Sequence, residues 1–137
     1  MKVISRINNL SGFADKHLLA RLKKYNRNLD GKINIEIGET YTVYGILFRD
    51  NSPWYYLCSE DYDDYPIPYA SECFEVIDEK LSACWKINST QLETGIVETF
   101  LVFDEWAEDR MFCERLINGD KEAEKIFAKY RKLMDQE

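Results

Sequence analysis

The apolar residues of this chain change period twice, and those two changes limit what it can fold into. Leu18, Leu22, Tyr25 and Leu29 step by four, three and four residues, which places them on one face of a helix. Ser11 can cap that helix, and Asp30-Gly31 ends it with a turn signal. From Ile33 the period falls to two: Ile33, Ile35 and Ile37 alternate with Asn34 and Glu36, the pattern of a half-buried strand. From Asp104 the helical spacing returns. The pattern predicts an α+β fold in one domain, 1–137, with a helix at 11–29, a β core at 33–103 and a helical hairpin at 104–135. A length of 137 residues fits one domain, since domains average roughly 100–200 residues.

Within the β core, Thr40 to Phe48 is dense in β-branched and aromatic residues. Arg49 to Pro53 is a turn cluster, and Trp54 to Cys58 is the return strand of a hairpin. The stretch Ser59 to Tyr69 reads as a loop, because Pro66 and Pro68 exclude a central strand. Cys73–Ile77 and Ala83–Ile87 read as short strands joined by an Asp78-Glu79-Lys80 turn. Asn88 to Gly95 is polar and loop-like, and Val97–Phe103 is a further strand. Asp104 is the expected cap of a helix from Glu105 to Ile117. Asn118-Gly119 stops it, and Asp120 caps a last helix with a wide stripe of Ala123, Ile126, Phe127, Tyr130, Leu133 and Met134. Phe127, Tyr130 and Leu133 are expected to dock the hairpin on the sheet. Trp54, Tyr56, Phe74 and Trp85 read as core, given the area that aromatics bury.

Composition narrows the function. The chain is 45% hydrophobic and 14% aromatic, which argues against disorder. No run approaches the ~18 apolar residues of a membrane span, and no apolar secretory segment opens the chain, so a cytoplasmic protein without membrane association is expected. The net charge of −7 is unevenly spread. Residues 1–32 carry eight Lys or Arg against two carboxylates, whereas Asp50 to Glu79 holds nine carboxylates and no Lys or Arg. Nucleic acid is therefore a poor partner for the middle of the chain, because phosphate binding rests on cations. A basic protein is the natural one.

Catalytic chemistry has little to build on in the sequence. His17 is the only histidine and lies in a Leu- and Lys-rich helix with no Ser or Cys motif beside it. Cys58, Cys73, Cys84 and Cys113 form no close pair, so they read as small buried apolar residues and not as metal ligands or a disulfide framework. No glycine-rich phosphate loop occurs. Asp61, Asp63 and Glu72 have calcium-loop spacing, but Tyr65 and Pro66 stand where that loop needs a ligand and a glycine. No catalytic residue, metal or cofactor is assigned. The distinctive feature is the acidic, tyrosine-rich stretch Glu60, Asp61, Tyr62, Asp63, Asp64 and Tyr65. Tyrosine supplies contact area at low entropy cost, and carboxylates steer a basic partner.

Two resemblances add to this reading. From Gly38 to Asp78 the chain resembles an SH3-like small barrel: Gly38-Glu39-x-Tyr41-x-Val43 opens it, Trp54-Tyr55-Tyr56-Leu57 is a strand, and Pro68 precedes Glu72-x-Phe74-Glu75-Val76-Ile77. The likeness implies an antiparallel barrel or a strongly twisted sheet of about five strands. The Ala-Leu-Tyr-Asp-Tyr opening of signalling SH3 domains is absent, so proline-peptide binding is not implied. The whole chain is similar in type to small bacterial proteins regarded as immunity partners of toxins. The segments carrying that likeness are Leu10-Ser11-Gly12-Phe13, Val43-Tyr44-Gly45-Ile46-x-Phe48, Pro53-Trp54-Tyr55-Tyr56, Phe74-x-Val76-Ile77-Asp78 and Glu105-Trp106-Ala107. It implies a non-enzymatic protein that blocks a cytoplasmic toxin by steric and acidic occlusion. The alternative is a small-molecule enzyme with a carboxylate/Tyr pocket.

Overall fold

A computed structural model describes residues 1–137. Its N-terminal segment Lys2–Ser5 is strand β1, with Val3 and Ser5 fully buried and their neighbours turned outward. It pairs antiparallel on one side with β2 (Thr40–Thr42) and on the other with β6 (Phe74–Asp78). The main sheet is also antiparallel. It runs in the order β5 (Tyr62–Ala70), β4 (Ser52–Ser59), β3 (Gly45–Arg49), β8 (Val97–Phe103), β7 (Trp85–Gln91). Four helices complete an α+β architecture: α1 (Lys16–Lys23), α2 (Asp104–Glu108), α3 (Phe112–Ile117) and α4 (Lys121–Asp135).

The β3–β4 hairpin organises the rest. Its two-residue turn, Asp50-Asn51, has φ of 52° and 58°. Asp and Asn tolerate this left-handed geometry, and its twist matches that of the flanking strands. β4 then sends consecutive side chains to opposite layers. Tyr55 meets Phe74 of the small sheet, with ring centroids 6.1 Å apart, while Tyr56 meets Trp106 of α2 edge-on at 4.8 Å. Below the helices, Phe103 stacks on Tyr130 at 4.1 Å and meets Phe112 edge-on, and Tyr44 meets Phe127 at 5.4 Å. α2 thus packs on the Tyr56 side of the main sheet and the small sheet on part of the Tyr55 side, while α4 packs on Tyr44 and Phe103.

Several expectations are corrected. The strands form two open sheets, and neither closes into a barrel. The helix expected at 11–29 shrinks to Lys16–Lys23. Its cap is Asp15, which accepts from Leu18 N at 2.8 Å, while Ser11 falls in a separate 3-10 turn capped by Asn9. Asn28 N donates to Asn26 Oδ1, a local side-chain turn that competes with the helix and leaves Leu29 fully exposed. Ile33–Ile37 forms no ladder strand. Ile35 N donates to Ile33 O, so the backbone turns there, and only Ile35 is buried. The stretch expected as a loop at Ser59–Tyr69 is mostly β5. Its prolines exclude a central strand, but β5 is an edge, where a missing N–H costs no ladder bond.

The Asp78-Glu79-Lys80 turn joins no hairpin. β6 pairs with β1 and β7 with β8, so this segment crosses between sheets. β7 also extends to Gln91, into the stretch expected as loop. The helix expected from Glu105 to Ile117 is broken in two. Asp109 accepts from Met111 N and from Arg115, and that local bond replaces the helical one. α3 and α4 do form a hairpin through Gly119 (φ 78°), with Asp120 accepting from Ala123 N. On α4, Ala123, Phe127, Tyr130 and Met134 face the core, whereas Leu133 is 44% exposed and takes no part in the docking expected of it. Trp54 and Tyr56 are buried as expected, while Phe74 and Trp85 are half-buried beside the core.

Candidate protein-binding edge

The acidic stretch is built from the β4–β5 turn and the first half of β5. Ser59 pairs with Tyr62, so Glu60 and Asp61 form the turn and project from it. Glu60, Asp61, Asp63 and Asp64 are exposed. Tyr62 and Tyr65 are half-buried, with ring centroids 5.9 Å apart. Pro66 behind them is buried, which seats the strand on the core.

One of the four carboxylates is spoken for. Arg131 of α4 donates from Nη1 to the Asp63 carbonyl and from Nη2 to its Oδ1, both at 2.7 Å. Burial works against the Arg131 charge, but the Asp63 hydrogen bond, the Asp63 charge and the neighbouring Tyr44 and Cys58 together outweigh it and raise the guanidinium pKa. The same guanidinium lies 5.9 Å from the Tyr44 ring centroid, and the Tyr44 hydroxyl donates to Asp135 Oδ1 at 2.7 Å. Burial and that bond raise the Tyr44 pKa. Glu60, Asp61 and Asp64 have no cation within salt-bridge distance.

Beside the turn lies a cleft of about 190 Å³, lined by Lys32, Asn34, Ile35, Glu36, Tyr41, Glu60 and Asp61. Its wall is tied to the strand. The Tyr69 hydroxyl donates to the Asn34 carbonyl at 3.3 Å and shares a hydrogen bond with Ser59 Oγ at 3.0 Å, and the Tyr41 oxygen accepts from Glu36 N at 2.9 Å. Burial pushes the Tyr69 hydroxyl up to about 12, so it stays a neutral donor. Sequence reasoning missed Arg131, Tyr41 and Glu36. Arg131 sits on the polar face of a helix 68 residues from Asp63, and no local pattern joins the two.

The other chemistry-bearing residues lie apart. His17 is exposed on α1. The four cysteines are free, and burial pushes the Cys58 and Cys73 thiols up to about 12 and Cys113 up to about 11. No three His, Cys, Asp or Glu side chains converge on a metal position. Glu72, the third member of the calcium-like spacing, is bound by Arg21 and accepts from Ser52 Oγ at 2.8 Å. No helix is long and apolar enough to cross a membrane.

Fold and site together define an α+β scaffold that presents acidic and tyrosyl side chains along one guarded sheet edge. No family model matches the chain, and neither a curated protein nor a solved structure matches it.

Proposed function

We propose that the protein is a non-enzymatic binder of a basic protein and acts as a bacterial, cytoplasmic immunity protein. It covers the active cleft of a cognate toxin, its carboxylates taking the place of an anionic substrate. The observation that carries this reading is the state of the β4–β5 edge. Three carboxylates without intramolecular cations flank a pair of half-buried tyrosines, on a strand that Arg131 clamps to α4. A surface held in one shape loses little entropy on binding. Free carboxylates steer a basic partner, and Tyr62 and Tyr65 serve as anchors.

The experiment is kinetic. The partner is captured from the native cell, and rates are measured at two salt concentrations. Replacing Glu60, Asp61 and Asp64 by their amides is expected to slow association and flatten its salt dependence. Tyr62→Ala or Tyr65→Ala is expected to speed dissociation, at a cost of about 2 kcal/mol. Variants that bind a captured partner like the parent chain would show that this edge is not the interface; the cationic face around Lys23 and Arg27 would then be examined. A toxin gene directly upstream of this one would support the immunity role.

The cleft at Tyr41, Glu36, Glu60 and Asp61 favours a second reading, a small-molecule enzyme using a carboxylate/Tyr pocket. At about 190 Å³ it is smaller than the roughly 300–1,000 Å³ usual for such sites. A carboxyl in that cleft found to titrate well above its ordinary range by NMR would favour catalysis.

A further inference from the structure

The loop from Leu10 to Gly31, which carries α1, is tied firmly at its neck and lightly at its head. At the neck Asn9 and Lys32 form an antiparallel bridge, Leu10 N donates to Gly31 O at 3.0 Å, and Ile33 N donates to Asn8 O at 2.8 Å. Between Asp15 and Asn28 no backbone–backbone hydrogen bond leaves the loop. The head rests on the β3–β4 hairpin through two side chains one helical turn apart. Arg21 donates from Nη2 to Glu72 Oε1, which also accepts from Ser52 Oγ at 2.8 Å. Tyr25, four residues on, donates to Asp50 Oδ2 and meets the Trp54 ring edge-on at 4.9 Å. Arg21 and Tyr25 thus lie over Ser52 and Trp54, which share a face of β4. Leu22 is the only buried side chain of α1.

This contact leaves hydrogen-bonding capacity unused. A guanidinium and a carboxylate can form two parallel bonds, yet Arg21 meets Glu72 with one nitrogen. Arg21 Nη1, Glu72 Oε2 and Trp54 Nε1 are buried, and none has a hydrogen-bond partner in the chain. A buried polar atom without a partner keeps the full cost of losing water. Opening the head of the loop lets water reach those atoms, and Leu22 is the only buried α1 side chain it takes from the core. Elements held in this way are the ones that open locally. Of the cations on the loop, only Arg21 pairs with a carboxylate, so no other ion pair holds the head down.

We propose that Glu72, Ser52 and Trp54 form a guanidinium-binding site that Arg21 occupies in the closed fold, and that the α1 loop opens about its neck to admit an incoming arginine side chain in place of Arg21. The fold itself shows what the site accepts, since a guanidinium already sits there. An arginine that bonds both Glu72 oxygens uses the half of the carboxylate that Arg21 leaves idle. A lysine fits less well, because its point charge lacks the planar fork that matches a carboxylate. Glu72 lies past the end of β5 remote from Tyr62–Tyr65, so the inference does not rest on the reading of the β5 edge.

The test uses ethylguanidinium as the probe and the Trp54 indole N–H as the reporter in NMR titrations. Arg21→Ala empties the site and should bind ethylguanidinium roughly tenfold more tightly than the parent, in which Arg21 competes. Ethylammonium should bind the same variant roughly tenfold less well. Adding Glu72→Gln should abolish the gain, whereas adding Glu122→Gln, on the exposed face of α4, should not. If Arg21→Ala loses helical circular dichroism, Arg21→Lys takes its place and should show the same order of affinities. In the parent, the amides of Leu19–Lys23 should be protected from exchange roughly tenfold less than those of β4. Arg21 variants that bind the probe no better than the parent would overturn the proposal. So would a loss of binding shared equally by Glu72→Gln and Glu122→Gln, or an α1 that exchanges only as slowly as β4.

Discussion

Phe127→Ala tests how the C-terminal hairpin is held. Phe127 is 3% exposed, on the face of α4 that meets the sheet, and its ring meets Tyr44 edge-on at 5.4 Å. Truncating a buried Phe costs about 3–5 kcal/mol in lost transfer energy and cavity. The lost aromatic pair lies within that range, since such pairs contribute only ~0.5–1.5 kcal/mol beyond burial. With a urea m-value of about 2 kcal/mol per molar for a domain of this size, a loss of ~4 kcal/mol lowers the midpoint by roughly 2 M. That is a large part of the ~5–15 kcal/mol that stabilises a typical domain. Leu133→Ala is the internal control. It belongs to the same sequence stripe but is 44% exposed, so its cost should stay below about 1 kcal/mol. Equilibrium urea unfolding followed by circular dichroism measures both. An unchanged Phe127→Ala midpoint, or a Leu133→Ala cost equal to it, would refute the docking of α4 through Phe127, Tyr130 and Met134.

Further tests address the clamp, the acid limb and the thiols. Arg131→Met should free the start of β5: the lost ion pair is half-exposed and contributes about 1 kcal/mol, so amide exchange at Tyr62–Tyr65 should quicken roughly fivefold. Burial alone would raise the Glu72 pKa, but its bonds to Arg21 and Ser52 win and lower it below the ordinary 4.5. A lowered carboxyl pKa stabilises the fold above the unfolded value, and that stability is lost as pH falls through the folded value. The gap in melting temperature between the parent and Glu72→Gln should therefore be widest near neutrality and narrow as the pH falls below the ordinary 4.5 and through the lowered folded value. All four thiols should titrate with a disulfide reagent in denaturant without reductant. In the native protein Cys73 should be inert, because it is buried and its thiol is pushed up to about 12. A chelator should leave the melting temperature unchanged, and a chelator-induced drop would reveal a structural metal.

The legible parts of the fold were those set by neighbouring residues. The β3–β4 hairpin was readable because its turn residues and flanking aromatics lie within ten residues of one another. The α3–α4 connection was readable because Gly119 and Asp120 act on their own backbone. What escaped is decided at long range. β1 carries only four residues, too few for a period, and becomes a strand because β2 and β6 lie on both sides of it. β6 and β7 look like a hairpin, yet β1, some seventy residues earlier, takes β6. The acidic residues were visible by composition, but not their division into one clamped carboxylate and three free ones, which depends on Arg131.

The prolines of β5 also bear on how its edge can be used. An edge strand normally recruits a partner through backbone hydrogen bonds, which favour any extended chain and discriminate little. Pro66 and Pro68 remove two donors from this edge, and the Arg131 clamp occupies the Asp63 carbonyl. A partner must then be recognised through side chains, here carboxylates and tyrosine rings. Such recognition is selective, because a wrong partner leaves charges unpaired. The opposite edge lacks those devices: β7 offers unpaired backbone, small polar side chains and Ile87. On the proposed reading a basic protein is recognised at the β5 edge, four strand spacings from the β7 edge.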